Sequence, residues 1–262
     1  MNLDYFIKTD KAYFPDIFWN IPEQKTGVLQ VVGGNINGFK TEFSQTETMV
    51  NNFPLKEVRL LLPDALRTKI PPIPGINFAP STESGSFDKS DELKFAVEDA
   101  DITLFSGDFT KNSKTAVALT KILKETTKPA VLARDTIDVV SESAEEFIEK
   151  GNITLVATMA QLQKLFRNLL YPKMILLSSP LMPIVETLHK FTLSYPVTIF
   201  TFHADYILVA SVGKVIATPI SATNFTPLGL FIGDIPSKIA ALELWNPSKH
   251  FESSHSSIFW DK

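Results

Sequence analysis

The sequence predicts an α/β protein: a central, mainly parallel sheet flanked by helices, with an antiparallel meander near the C-terminus. Three observations carry this expectation. Short apolar runs alternate with amphipathic stretches, the early runs stop at Gly or Pro, and late in the chain β-branched and aromatic runs follow one another with only turn residues between them.

The elements follow in order. Gly27–Val32 reads as a first strand ending at Gly33-Gly34, and Lys56–Leu62 as a second closed by Pro63. Asp101–Phe105, Ala130–Ala133 and Ile153–Val156 are further strands, spaced to leave room for helices. Over 112–126, Ala116, Leu119, Ile122 and Leu123 form one helical stripe, and Pro129 follows as a stop signal. Over 159–170, Leu162, Leu165, Phe166 and Leu169 form another, with Thr158 as its cap. Val197–Phe202, Tyr206–Ala210 and Val215–Thr218 make the meander, the last two joined by a turn at 211–214. The Pro-, Gly- and Ser-dense stretch 69–86 reads as a long surface loop within one domain, because strands resume unchanged after it. The core spans about 24–245. The Ser- and His-rich tail, 246–262, reads either as disorder or as aromatics docked on the body or a partner.

Composition narrows the function classes. The 262 residues are 44% hydrophobic and carry a net charge of −4, enough apolar material for a large core and no basic footprint for nucleic acid. With no cysteine, disulfides, thiol nucleophiles and Cys-ligated metals drop out. The N-terminus lacks the basic start and apolar stretch of a signal peptide, and runs such as Met174–Leu177 are too short to cross a bilayer. A cytoplasmic protein without membrane contact is expected. The four histidines have no zinc-site spacing, so no dedicated metal centre is expected, and the serine pairs lack a nucleophile elbow.

Two segments could carry chemistry. Residues 33–41, GGNINGFKT, nearly spell a P-loop, but Phe39 intrudes between Gly38 and Lys40. One extra residue rotates a helix-start side chain by about 100°, which aims Lys40 away from phosphates. The segment remains a glycine-rich turn whose N–H groups could meet a polar ligand or serve only the turn. Gly233-Asp234 precedes a helical pattern containing Pro236. There, first-turn N–H groups favour negative charge and a carboxylate can act as base toward a hydroxyl, or Asp234 merely caps the helix.

Taken in order, these pieces resemble the NAD(P)H-hydrate dehydratase branch of the ribokinase-like superfamily, over about 24–245. Residues 25–35, KTGVLQVVGGN, match that family's opening strand and Gly-Gly-Ser-type turn. Residues 101–110, DITLFSGDFT, sit at its Gly-Pro-Gly-Leu-Gly loop with Gly107 kept, and 128–137, KPAVLARDTI, at its Asp-Ala-Asp-Ala-Leu segment with Asp135 kept. Residues 231–242, FIGDIPSKIAAL, align with its Gly-Thr-Gly-Asp segment and helix.

The resemblance implies a ribokinase-like three-layer sandwich, a homo-oligomer, and a nucleotide or dinucleotide ligand handled with ATP or ADP and Mg²⁺. It implies phosphoryl transfer to the hydrate hydroxyl followed by phosphate elimination. Asp234 would be the catalytic base, with Ile232, Gly233 and Asp234 N–H groups forming an anion hole approached by Asn224. Gly33, Gly34, Asn35, Gly107 and Asp135 would line the substrate side. The chain departs from the pattern at several points. Phe231 replaces the anion hole's first glycine, Thr158 and Gln161 stand at the family's His and Glu, and Phe202-His203 stands at its Lys-Gly. Two readings therefore stay open: a divergent enzyme, and a catalytically inactive scaffold that binds a ligand or assembles.

Overall fold

The structure, a computed structural model, describes residues 4–260. Ten strands form one continuous sheet. In chain order they are β1 (Phe6–Lys8), β2 (Thr26–Gly33), β3 (Leu55–Pro63), β4 (Ile76–Ala79), β5 (Ile102–Gly107), β6 (Ala130–Ala133), β7 (Ile153–Val156), β8 (Thr198–His203), β9 (Tyr206–Ser211) and β10 (Lys214–Pro219). Across the sheet the order is β1-β10-β9-β8-β7-β6-β5-β2-β3-β4. Pairing is parallel from β4 through β8, antiparallel in the β8–β9–β10 meander, and parallel again where β1 joins β10.

Helices cover both faces. They are α1 (Asp16–Trp19), α2 (Lys40–Asn52), α3 (Asp91–Glu98), α4 (Ser113–Glu125), α5 (Asp135–Val140), α6 (Met159–Asn168), α7 (Leu181–Ser194), α8 (Leu228–Phe231), α9 (Asp234–Trp245) and α10 (His250–Ser256). One core joins α3–α7 to the sheet through Leu93, Leu119, Leu162 and Leu188 packed on Val32, Phe105 and Leu155. The other joins α1, α2, α9 and α10 through Ile17, Met49, Ile239 and Phe251 packed on Val31, Leu104 and Val131. Alternate residues of each strand face opposite cores, so the architecture is the expected three-layer sandwich.

Local chemistry explains the element boundaries. Asn112 caps α4, its side chain accepting from Lys114 N–H at 2.8 Å. Thr158 and Gln161 form a reciprocal capping box at the start of α6. The expected loop over 69–86 is corrected at one point: β4 lies inside it and closes the sheet edge against β3. A four-residue edge strand between Gly75 and Pro80 is too short for periodicity to reveal. β1, shorter still at three residues, likewise escapes the sequence reading.

The reading of the tail as disorder is overturned. Phe251, Ile258 and Trp260 are buried, and Trp260 stacks on Phe53 with centroids 5.5 Å apart, so the aromatics dock on the body. Residues 261–262 of that tail, like Met1 to Leu3, lie outside the described residues.

Candidate functional site at the sheet switch point

From β2 the chain builds outward to β3 and β4, then returns to the other flank of β2 to lay down β5, β6 and β7. Neighbouring crossovers therefore diverge between β2 and β5. In open α/β sheets such a point leaves a crevice at the carboxyl ends of the strands, the usual place for a ligand. Here those ends are Gly33-Gly34 and Gly107-Asp108.

Glycine is required at this seam. A Cβ on Gly33 would lie 2.7 Å from Gly107 O and 2.8 Å from Glu42 Cγ. Gly34 N–H donates to Gly107 O at 2.8 Å, tying the two strand ends together. Asn35 and Gly38 then close a tight turn with backbone bonds of 2.7 and 3.1 Å, while Ile36 N–H goes to Gly85 O at 2.9 Å. These N–H groups are spent inside the protein, so of the two roles open to them they serve the turn and are not offered to a polar ligand. Lys40, the first residue of α2, is exposed, as the extra Phe39 predicts. The Asn35 side chain is also engaged: its Oδ1 accepts from Asn37 N–H at 2.8 Å and its Nδ2 donates to Asp108 O.

Behind the turn runs a belt of polar side chains. Glu42 and Gln45 of α2 are buried, and the Ser106 hydroxyl of β5 lies 3.1 Å from Glu42 Oε1 and against Gln45 Oε1. Arg134, just past β6, donates from Nη1 to Glu42 Oε1 at 3.0 Å and from Nη2 to Asp108 Oδ1 at 2.5 Å. Arg134 and Asp108 both hold positive φ, 54° and 56°. Such backbone strain persists in non-glycine residues only where surrounding contacts enforce it, and it concentrates at functional sites. At the far end, Gln45 lies directly on Gly233, where a Cβ would strike its amide. The belt thus runs from the β2 turn to the first turn of α9.

Electrostatics follow from crowding. An ion pair with Arg134 would by itself hold the Glu42 carboxyl low. Burial, reinforced by the nearby Asp108 carboxylate, wins instead and pushes it up to about 8. Burial likewise lifts Asp135 to about 6, against a backbone hydrogen bond. Its Oδ1 is buried without a partner beside Gly107 Cα.

The remaining expected site residues fall around α9. Gly233 is its N-cap in the left-handed region, φ 85°, and Asp234 is its first residue. The Asp234 carboxylate pairs with Lys238 at 3.2 Å. Ile232 departs from its expected role: its N–H donates to Leu228 O at 3.0 Å, because the chain winds α8 immediately before the turn. Phe231 and Ile232 are half exposed, at 52% and 53%. Asn224 is exposed in the segment leading into α8.

The structure thus brings Gly33, Gly34, Asn35, Gly107, Asp135 and Gly233 onto one belt, with Asp234 adjoining. Sequence reasoning missed Glu42, Gln45, Ser106, Asp108 and Arg134. A signal existed for the first two: spaced with Met49 on the buried stripe of α2, they are polar residues at core positions. Among the described residues no group of three His, Asp or Glu side chains is placed to hold a metal ion, and no helix is long and apolar enough to cross a membrane.

Comparison with solved structures identifies the class of fold as ribokinase-like. A ribokinase-like superfamily protein from Enterococcus faecalis V583 superposes with a TM-score of 0.68 at 12% identity, over 98% of this chain and 87% of its own. Bacillus subtilis pyridoxal kinase, solved as an ADP complex, gives 0.50 at 11% identity over 90% and 89% of the two chains. Anopheles gambiae adenosine kinase, solved with P1,P4-di(adenosine-5) tetraphosphate, gives 0.51 at 9% identity over 97% and 90%. No protein-family model and no curated protein matches the sequence.

Proposed function

We propose that the chain is a small-molecule kinase-type protein that works at the switch-point crevice, in the finer form of an ATP- or ADP-dependent NAD(P)H-hydrate dehydratase. One observation carries the reading. α9 begins at a left-handed glycine, with Asp234 as its first residue, at the end of the belt that starts from Gly33-Gly34. A glycine N-cap brings no side chain to α9's first N–H groups, so an anion can take that place.

In this reading Asp234 takes the proton of the ligand hydroxyl, freeing its oxygen for the phosphoryl group. The N–H groups of Gly233 and Asp234 face the negative charge that develops. Asn224 borders the approach. Mg²⁺ would be held chiefly by the nucleotide's phosphates, as that ion commonly is. The donors fit such a ligand: the twelve-residue α9 presents the positive end of its dipole at Gly233-Asp234.

The test is recovery of NADH absorbance from NADH hydrate with ATP, then ADP, plus magnesium. Turnover that falls by roughly 10²–10⁴ in Asp234→Asn is expected. Folded protein that shows no nucleotide-dependent turnover overturns the enzyme reading. One observation favours a second reading, a ligand-binding scaffold without turnover: Ile232 N–H is already spent on Leu228 O. Loss of one oxyanion donor commonly costs about 10²–10³ in rate.

A further inference from the structure

The extra Phe39 that turns Lys40 away from the glycine turn delivers it to a neighbouring pocket. A cavity of about 380 Å³ opens there, between α2 and the loop that joins β3 to β4, a size usual for a small-molecule site. Lys40, Phe43, Ser44 and Glu47 line it from α2. Spaced by three, four and seven residues, they share one face of the helix, and Lys40 and Glu47 stand about 10 Å apart along its axis. Phe39 closes the near end. Its carbonyl accepts from Phe43 N–H at 3.3 Å, and the two rings meet edge to face with centroids 5.8 Å apart. Pro71 and Ile73, both exposed, supply the wall on the loop side.

Lys69, on the same loop, brings a second cation to the turn end. Its Nζ donates to Ile36 O at 3.1 Å and has two hydrogens left. Among the described residues Lys40, Lys69 and Glu47 make no ion pair. The pocket therefore has an order: cations at the end next to the glycine turn, an aromatic ring in the middle, and a carboxylate at the far end.

We propose that this pocket holds the adenylate half of a dinucleotide whose nicotinamide half occupies the glycine side of the crevice. This rests on the reading of the chain as one that acts on a dinucleotide. The order of groups fixes the orientation. The phosphates sit at Lys40 and Lys69, the purine covers Phe43, and its exocyclic amino group donates toward the Glu47 carboxylate. A purely apolar occupant would leave both lysines without a partner, and a bare phosphate would leave the Phe43 face uncovered.

Four ligands test the order: AMP, adenosine, nicotinamide mononucleotide and NADH. Each is titrated into the full chain while the backbone amide resonances of Phe43, Ser44 and Glu47 are followed. Saturable shifts are expected with AMP and NADH, and at least about tenfold weaker binding of adenosine and of nicotinamide mononucleotide, each of which lacks one of the two recognised groups. Lys40→Gln should weaken AMP by about tenfold and leave adenosine unchanged, a split that general damage to the fold does not produce. Phe43→Leu, which keeps apolar packing against the body, should weaken both by about tenfold. AMP is then displaced by NADH and, separately, by ATP with magnesium. NADH should act at the lower concentration, because it alone also reaches the glycine side of the crevice. Absence of saturable AMP shifts in the parent chain overturns the proposal. So does equal binding of adenosine or nicotinamide mononucleotide, or an unchanged AMP affinity in Lys40→Gln. Displacement by ATP at an equal or lower concentration overturns it too, by giving the pocket to the phosphoryl donor. The NADH recovery assay fails separately: AMP and NADH bound along α2 without nucleotide-dependent turnover leave this pocket standing and remove the proposed reaction.

Discussion

Gly233 shows how much one missing side chain can decide. It holds φ 85°, and the whole Gln45 side chain lies across the face where a Cβ would stand. Gly233→Ala must therefore strain the backbone and evict a buried amide together. A loss of about 3 kcal/mol in urea unfolding is expected. Gly38→Ala is the matched control. A Cβ there meets its nearest neighbour, Asp108 Cγ, at 3.7 Å, so a change within about 0.5 kcal/mol is expected. If the two variants are equally stable, the contact between Gln45 and the first turn of α9 is not what demands glycine. This scale also explains what was legible of the site. Gly33, Gly34 and Gly233 betray themselves because strand ends and helix starts that approach closely accept no other residue, whereas Gly107 entered only through the family resemblance. Ser106, Asp108 and Arg134 carry no such mark: their partners come from elements 26 to 92 positions away, and no local spacing encodes that.

Elements formed where several local signals agreed. The helix α4 was legible because stripe and stop coincide, α6 because stripe and cap do, and β2, β3, β5, β6 and β7 because each is a bounded apolar run. The strands β1 and β4 were not, since three or four residues at a sheet edge, with Pro74 and Pro80 around β4, show neither period nor length. α10 escaped for a different reason. Its polar residues, from Ser253 to Ser256, are fully buried, against the usual rule of which residues lie inside. At α6 the capping box does two jobs. Thr158 caps the helix, while Gln161 Nε2 reaches Arg134 O at 2.6 Å and Asp138 Oδ2 at 2.9 Å. Thr158→Ala should cost about 1 kcal/mol of stability, as a lost cap commonly does. Gln161→Leu should cost more and also shift the Arg134 amide resonance, because it frees the strained residue from its carbonyl anchor. An Arg134 resonance that stays in place would detach α6 from the belt.

Across the whole molecule, buried titratable groups at opposite ends of the fold set opposing pH dependences. His255 lies fully buried in α10 among the rings of Phe14 and Phe259, and burial drops it to about 4. The unfolded chain binds that proton near its ordinary value of about 6.5. Stability from His255 is therefore lost as pH falls from about 6.5 to about 4. Asp135 and Glu42 act the other way. Folded, they keep their protons up to about 6 and about 8, above their unfolded values, so their contribution is lost as pH rises through those windows. His250 joins them. Burial pulls it down, but the Glu243 carboxylate, 2.8 Å from Nδ1, raises it overall, and that contribution too is lost as pH rises past the unfolded value. Between about 4 and 6 the two carboxyls outweigh the one histidine, so stability still declines with rising pH at about one group's slope, and near 6.5 the His255 and Glu42 slopes offset. Above about 6.5, of these four groups Glu42 and His250 still differ between the states, so the melting temperature should decline toward pH 8. Each group contributes at most about 1.4 kcal/mol per pH unit. Glu42→Gln should leave only the His250 share of that decline, whereas His255→Phe should steepen the fall with rising pH between about 4 and 6.5. A parent melting temperature that climbs from pH 6.5 to 8 would mean that Glu42 is ionised in the folded protein and that Arg134, not burial, governs the belt.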